Sequence, residues 1–242
     1  MFLSLSLEDI ENIIRPLSAD HTPHTKLICL ENTQLEAGGV SLSAEYIDSV
    51  GALAKKHGLK LHIDGARIFH AAIEQKTTVK ELVKSADSIA VCLSKGLCAP
   101  AGSLLLGSKE FISEARQKRQ IVGGELKQAG VLAAAGRIAL HKMSQGLKED
   151  HQNATLLAAL LKKCTFIDRV TSATNVVSFH LTPEAEPIRD FIESRCSRGG
   201  NKTESLRMFT HFSIAEGDIR TIVDTYNKLE LKGKRKRQSS IE

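Results

Sequence analysis

Residues 61–70 read LHIDGARIFH, and the change of character inside this stretch decides what kind of fold the chain makes. Leu59, Leu61 and Ile63 occupy every second position, the period of a strand. The run then meets Asp64, Gly65, Ala66 and Arg67, residues that end a strand and open a turn. A second apolar run, SIAVCLSKG at 88–96, closes in the same way on Ser94, Lys95 and Gly96. Burying a lone carboxylate or ammonium is costly, so both charges belong where the strands leave the core.

Working outward, the chain alternates. Ser43 is placed to cap a helix whose apolar positions Ile47, Val50, Leu53 and Ala54 follow helical spacing, and Gly58 ends it. The strand over 59–63 follows, then a short helix at 78–85 and a strand at 88–93. AGSLLLGS at 101–108 reads as a further buried strand, and 109–120 as a helix ending near Gly123 and Gly124. An Ala- and Leu-rich helical region spans 126–163, with an interruption expected near Gly146. Strands alternating with helices, the strands being continuous apolar runs, predict an α/β sheet covered on both faces.

Beyond residue 165 the pattern changes: strand-like segments at 174–181 and 205–212, a helix over EPIRDFIESRC, and an amphipathic helix at 215–230 bearing Ile219, Ile222, Val223 and Tyr226. The expected organisation is a large α/β domain over 1–150, a small α+β domain over 151–230 and a basic disordered tail over 231–242.

Composition narrows the function classes. A hydrophobic content of 42% and a charged content of 25% are those of a globular protein. No run approaches the roughly 18 apolar residues of a membrane span. The N-terminal MFLSLSLEDI lacks the basic region of a signal peptide. Of the net charge of +5, the tail KGKRKR accounts for the excess, which leaves a near-neutral body. With no Trp and two Tyr there is no stacking platform for nucleic acid. Five cysteines without a C-x-x-C pair suit a reducing compartment, so a cytoplasmic protein is expected. No metal-ligand spacing is present.

Asp64 and Lys95 taken singly read as a helix N-cap and an end-of-strand lysine reaching solvent. Taken together they lie at the carboxyl ends of strands, where open α/β sheets bind ligands. A carboxylate and a primary amine at one site suit pyridoxal phosphate: the amine bonds the aldehyde carbon, and the carboxylate keeps the pyridine nitrogen protonated. Ser94 supplies a hydroxyl for the phosphate.

LICLENTQLEAGG, LHIDGARIF, ADSIAVCLSKGLCAPAGSLLLGSKEFI and GGELKQAGVLAAAG, in this order, resemble the low-specificity L-threonine aldolases over most of residues 7–230. The resemblance implies the fold-type I architecture of the pyridoxal-phosphate-dependent transferases and cleavage of L-threonine or L-allo-threonine to glycine and acetaldehyde. It implies that Lys95 carries the cofactor, that Asp64 pairs with the pyridine nitrogen, and that Arg67 helps hold cofactor and substrate carboxylate. Arg207, in LRMFTH, is implied to bind that carboxylate too. A homodimer or homotetramer is implied as well.

The chain also departs from the family. Gln34 stands where the family has a histidine, Glu125 where it has a glycine, and Lys127 where it has an arginine, which removes a bidentate fork. The family's phosphate-cradling Gly-Thr turn and ring-stacking histidine precede the segment matched here. The chain is therefore expected to be a truncated or alternatively started product, or a fragment, with weak cofactor binding and an exposed sheet edge. His62 and His211 fall in matched motifs, and each also reads as a satisfied structural histidine. Two alternatives stand beside aldol cleavage: another fold-type I activity, transaminase or β-eliminating lyase, and a non-catalytic remnant acting as a partner subunit.

Overall fold

The computed structural model describes residues 5–15, 21–198 and 205–238. It divides into two compact units, Met1–Gln34 with Val40–Gln145, and Leu35–Gly39 with Gly146–Glu242. The short segment Leu35–Gly39, far upstream in sequence, thus belongs with the second unit.

Among the described residues of the first unit, one sheet runs in the order β1 (Leu27–Glu31), β2 (Lys60–Asp64), β3 (Ser88–Cys92) and β4 (Ser103–Gly107). The first three strands are parallel, and β4 returns antiparallel to β3. The alternation in β2 is physical: Leu61 and Ile63 are buried, and Lys60 and Asp64 are exposed. α1 (Leu7–Asn12) starts at a capping box in which the Ser6 and Asp9 side chains satisfy each other's backbone amides. α2 (Ala44–Lys56) is capped by Ser43, whose Oγ accepts from the Tyr46 amide, and it buries Ile47, Val50, Leu53 and Ala54 against the sheet. Gly58 follows it with φ +67, a left-handed turn that lets the chain reverse into β2. α3 (Ile68–Glu74) and α4 (Val79–Leu82) complete this core; α4 is one turn, shorter than the helix expected at 78–85.

The strand expected to be buried at 101–108 is instead exposed along its whole length. Leu104, Leu105 and Leu106 are 38%, 44% and 45% exposed, because among the described residues no layer buries the two faces of β4; β1, the other edge strand, does bury Ile28. An apolar run reports the capacity to be buried; a covering neighbour is a separate matter. α5 (Lys109–Ile121), capped by Ser108, likewise buries no residue among those described. The long helical region breaks at a π-helical turn, Ala139–Met143, between α6 (Gly130–Ile138) and α7 (Ser144–Leu161). Gly146, the expected point of interruption, sits inside α7. A π-turn inserts a residue into an otherwise good helix and leaves no glycine to mark it.

The second unit holds a mixed α+β arrangement. Among its described residues, β5 (Ile167–Ala173), β6 (Val176–Leu181), β7 (Ser197–Arg198) and β8 (Leu206–Phe209) form a sheet of order β5-β6-β8-β7. Two of these strands were unforeseen. β5 reads poorly because a bulge between Asp168 and Thr171 breaks its period of two, with Arg169 at φ +46. β7 is two residues long. A 3₁₀ turn at Pro183–Ile188 leads into α8 (Arg189–Glu193), and α7 and α9 (Glu216–Gln238) cover the sheet through Leu157, Leu161, Ile219, Val223 and Tyr226. α9 runs on to Gln238. The basic stretch expected to be disordered therefore continues the helix, as suits Lys and Arg, which are good helix formers. Residues 239–242 lie outside the described residues.

Candidate active site

The carboxyl ends of β2 and β3 stand side by side, with Asp64 in register with Ala90. The backbone around Asp64 is locked from both neighbours: its carbonyl accepts from the Asn32 amide at 2.8 Å, and the next amide, Gly65, donates to Ala90 O at 2.8 Å. Asp64 is exposed, and its Oδ1 accepts from the Ala66 amide at 2.9 Å. This is an Asx-type turn. It is not the N-cap of α3, which is Arg67 and carries no side-chain cap bond. The capping explanation for a carboxylate at this position is thereby removed.

Lys95 lies in the turn that follows β3. Its carbonyl accepts from the Cys98 amide at 2.9 Å, and the base of the loop is closed by Leu93 N–H to Gly102 O at 3.0 Å and Ala99 N–H to Leu93 O at 2.9 Å. Ser94 and Lys95 are exposed, with Ser94 Oγ 3.3 Å from Cys92 Sγ. Arg67 is half-buried at the start of α3. Asp64, Arg67, Ser94 and Lys95 thus all sit on the carboxyl side of one sheet. His62 is tied across the strands, with Nδ1 2.7 Å from Ser88 Oγ.

Arg207 belongs to the second unit, on β8. It is 7% exposed, and its guanidinium donates to Leu35 O at 3.0 Å and to Glu36 Oε1 at 3.4 Å. The segment Leu35–Gly39 is laid closely on the sheet there. A Cβ on Gly39 would lie 2.6 Å from Val176 Cγ2, and Gly39 has φ +87, so only glycine fits. The Thr174 hydroxyl donates to Gly39 O at 2.9 Å. A cavity of about 520 Å³ lies beside Arg207, lined also by Arg195, His211, Asp218, Ile219 and Ile222. His211 Nδ1 is 2.9 Å from Ser213 Oγ. Glu36 and Arg195 were not among the residues picked from sequence. Glu36 lies 171 residues from the arginine it faces, and nothing local marks the pairing.

The donor set of the first unit fits pyridoxal phosphate: an exposed primary amine, an oriented carboxylate with one oxygen already committed to the backbone, a hydroxyl and a guanidinium. Among the described residues no cluster of three or more His, Cys, Asp or Glu is placed to hold a metal ion. No helix among them is long and apolar enough to cross a membrane.

A family model described as beta-eliminating lyase matches residues 4–183. The chain belongs to the beta-eliminating lyase family. Within it, this family member is 39% identical over 237 residues to the low-specificity L-threonine aldolase 1 of Arabidopsis thaliana, and 35% identical over 217 residues to the low specificity L-threonine aldolase of Escherichia coli O157:H7. Those alignments take in 94% and 89% of this chain, which spans 66% and 63% of the two relatives' lengths. Among solved structures, a threonine aldolase from Leishmania major superposes with a TM-score of 0.75 at 20% identity, covering 93% of this chain and 67% of that one. The fold is that of the fold-type I pyridoxal-phosphate enzymes.

Proposed function

We propose that this chain carries the lysine and aspartate of a pyridoxal-phosphate-dependent carbon–carbon lyase that cleaves L-threonine or L-allo-threonine to glycine and acetaldehyde. The observation that carries the reading is the placement of Asp64 as the last residue of β2 and of Lys95 just past the end of the adjacent parallel strand β3, each on a backbone held by hydrogen bonds. The similarity to proteins named L-threonine aldolases supports the choice of substrate.

Bound at this edge, pyridoxal phosphate supplies an electron sink for the pair released when the Cα–Cβ bond of the amino acid breaks. Lys95 would provide the amine that holds the cofactor's aldehyde carbon. Asp64, one oxygen of which accepts from the Ala66 amide, would keep the pyridine nitrogen charged with the other. Ser94 would donate to the phosphate, and Arg67 would serve the anionic groups of cofactor and substrate. On the likeness to the L-threonine aldolases alone, Arg207 is assigned to the substrate carboxylate. The β-hydroxyl proton leaves as acetaldehyde forms, and a proton returns to Cα to give glycine.

Reduction with borohydride in the presence of pyridoxal phosphate, followed by peptide mapping, tests the reading. A label on Lys95 is expected; a label on another lysine alone, or on none in the folded protein, overturns it. The description of the matched family supports a second reading, β-elimination. Pyruvate and ammonia from serine, in place of glycine and acetaldehyde from threonine, would select it.

We further propose a cytoplasmic homo-oligomer, dimer or tetramer. The five cysteines, none of them bridged to another, support the compartment. The outward apolar residues Val131 and Ile138 of α6, 81% and 52% exposed, support association.

A further inference from the structure

The turn that carries Lys95 rests on a buried histidine. His70, on α3, is 1% exposed. A Cβ built on Gly96 would come within 2.3 Å of His70 Nε2 and 3.1 Å of Cδ2. The backbone next to Lys95 therefore lies directly on the edge of the imidazole, and only glycine allows that approach without displacing the ring.

The same histidine is tied to the Asp64 turn by a short path. The Ala66 amide donates to Asp64 Oδ1, and the Ile68 amide that opens α3 donates to Gly65 O at 3.0 Å. The His70 amide donates to Arg67 O at 3.0 Å, so the residue is fixed in the first turn of the helix. From Asp64 through this turn to His70, and across the ring to Gly96 and Lys95, there is one run of close contacts within a single unit. The β2–β3 ladder sets where the strands end; the imidazole sets where the lysine turn comes to rest beyond them.

We propose that His70 is a positioning residue: through its contact with Gly96 it fixes the Lys95 amine relative to the Asp64 carboxylate. The proposal rests on the reading of Lys95 and Asp64 as the cofactor's anchors. It predicts that an aldehyde needing both anchors senses His70, whereas an aldehyde needing only the amine does not. Misplacement of reacting groups by about 1 Å can cost up to a hundredfold.

The experiment compares two probes on the folded chain, each trapped by reduction and mapped by mass spectrometry: pyridoxal phosphate, which engages both anchors, and formaldehyde, which engages the amine alone. In the parent chain pyridoxal phosphate is expected to label Lys95 above the other lysines. In His70→Ala that preference falls about tenfold or more, while formaldehyde labelling of Lys95 and its pH profile stay as in the parent. Gly96→Ala is expected to give the same split, because its new methyl group displaces the ring. The double variant recovers labelling, since the methyl group then occupies space the ring has left.

If both probes change together and in step with the melting temperature, His70 is merely structural and the proposal is wrong. Unchanged pyridoxal-phosphate labelling in His70→Ala also overturns it. Should His70→Ala fail to fold, His70→Gln, a planar polar group of similar reach, is compared with Gly96→Ala: the first keeps the preference and the second loses it, and the reverse order overturns the proposal. A parent chain that shows no preference for Lys95 overturns the cofactor reading and the positioning role with it, an outcome distinct from a variant that fails where the parent succeeds.

Discussion

Asp64 and Arg207 make opposite use of their surroundings, and their variants are expected to behave accordingly. Asp64 is exposed and touches one backbone amide, so its replacement leaves the fold intact. Asp64→Asn is expected to keep borohydride-trapped cofactor on Lys95 and to lower glycine formation from threonine at least about a hundredfold, because a neutral amide does not hold the pyridine nitrogen charged. Near-parent turnover would remove Asp64 from the chemistry. Arg207 is buried on β8 and donates to a carbonyl and a carboxylate. Arg207→Gln leaves acceptors without their donor and is expected to destabilise the second unit by about 1–3 kcal/mol in denaturant unfolding. Glu36→Gln is expected to cost well under about 1 kcal/mol, since the carboxylate side is 57% exposed and the contact is long. Equal losses from both variants would contradict this ordering.

At the scale of elements, the contrast is between helices anchored by a core and helices that are not. α2 and α5 have the same length and the same kind of cap, a serine Oγ accepting the amide three residues on. Ser43→Ala and Ser108→Ala each remove a cap contributing about 1 kcal/mol. Only α2 buries an apolar face, so Ser43→Ala is expected to lower the global melting temperature, by roughly 2–4 °C. Ser108→Ala is expected to accelerate amide exchange within 109–121 with little change in melting. A larger global effect from Ser108→Ala would mean that α5 is covered in solution. The two serines could be picked from sequence with equal ease; the burial that separates them could not.

At the scale of the molecule, pH acts through Asp150. Its side chain is 2% exposed and Oδ2 is buried without a hydrogen-bond partner, while the backbone carbonyl accepts from the Thr210 hydroxyl at 2.6 Å. Burial pushes the carboxyl up to about 7, with the charge of Glu149 adding to the effect. A folded pKa above the unfolded one means that the folded state keeps a proton the unfolded chain releases. The stabilisation is full below about pH 4 and is lost as pH rises toward 7, by at most about 1.4 kcal/mol per pH unit. Asp48 works in the opposite sense, since the Ser85 hydroxyl, assisted by Lys84 against desolvation, holds it below 3.8, and its contribution is lost only in stronger acid. Asp150→Asn is expected to flatten the fall in melting temperature between about pH 5 and pH 7.5. An unchanged slope would assign the effect to other groups.

Local chemistry was enough to determine much of this protein. Period-two alternation places Leu61 and Ile63 inward, Ser43 starts a helix and Gly58 ends it, and Asp64 and Lys95 terminate neighbouring strands, because each of these is settled by residues a few positions apart. The β-bulge that conceals β5, the π-turn at Ala139–Met143 and the helical continuation of the basic stretch are local too, but their marks are faint: an extra residue leaves no distinctive side chain. What only the tertiary structure decided is what each surface meets. Leu104, Leu105 and Leu106 are apolar and exposed because among the described residues nothing buries the faces of β4, Arg207 is buried because a segment 171 residues away folds over it, and Gly96 is required because His70 lies beneath it. Burial and contact depend on neighbours distant in the chain, and no short stretch of sequence contains them.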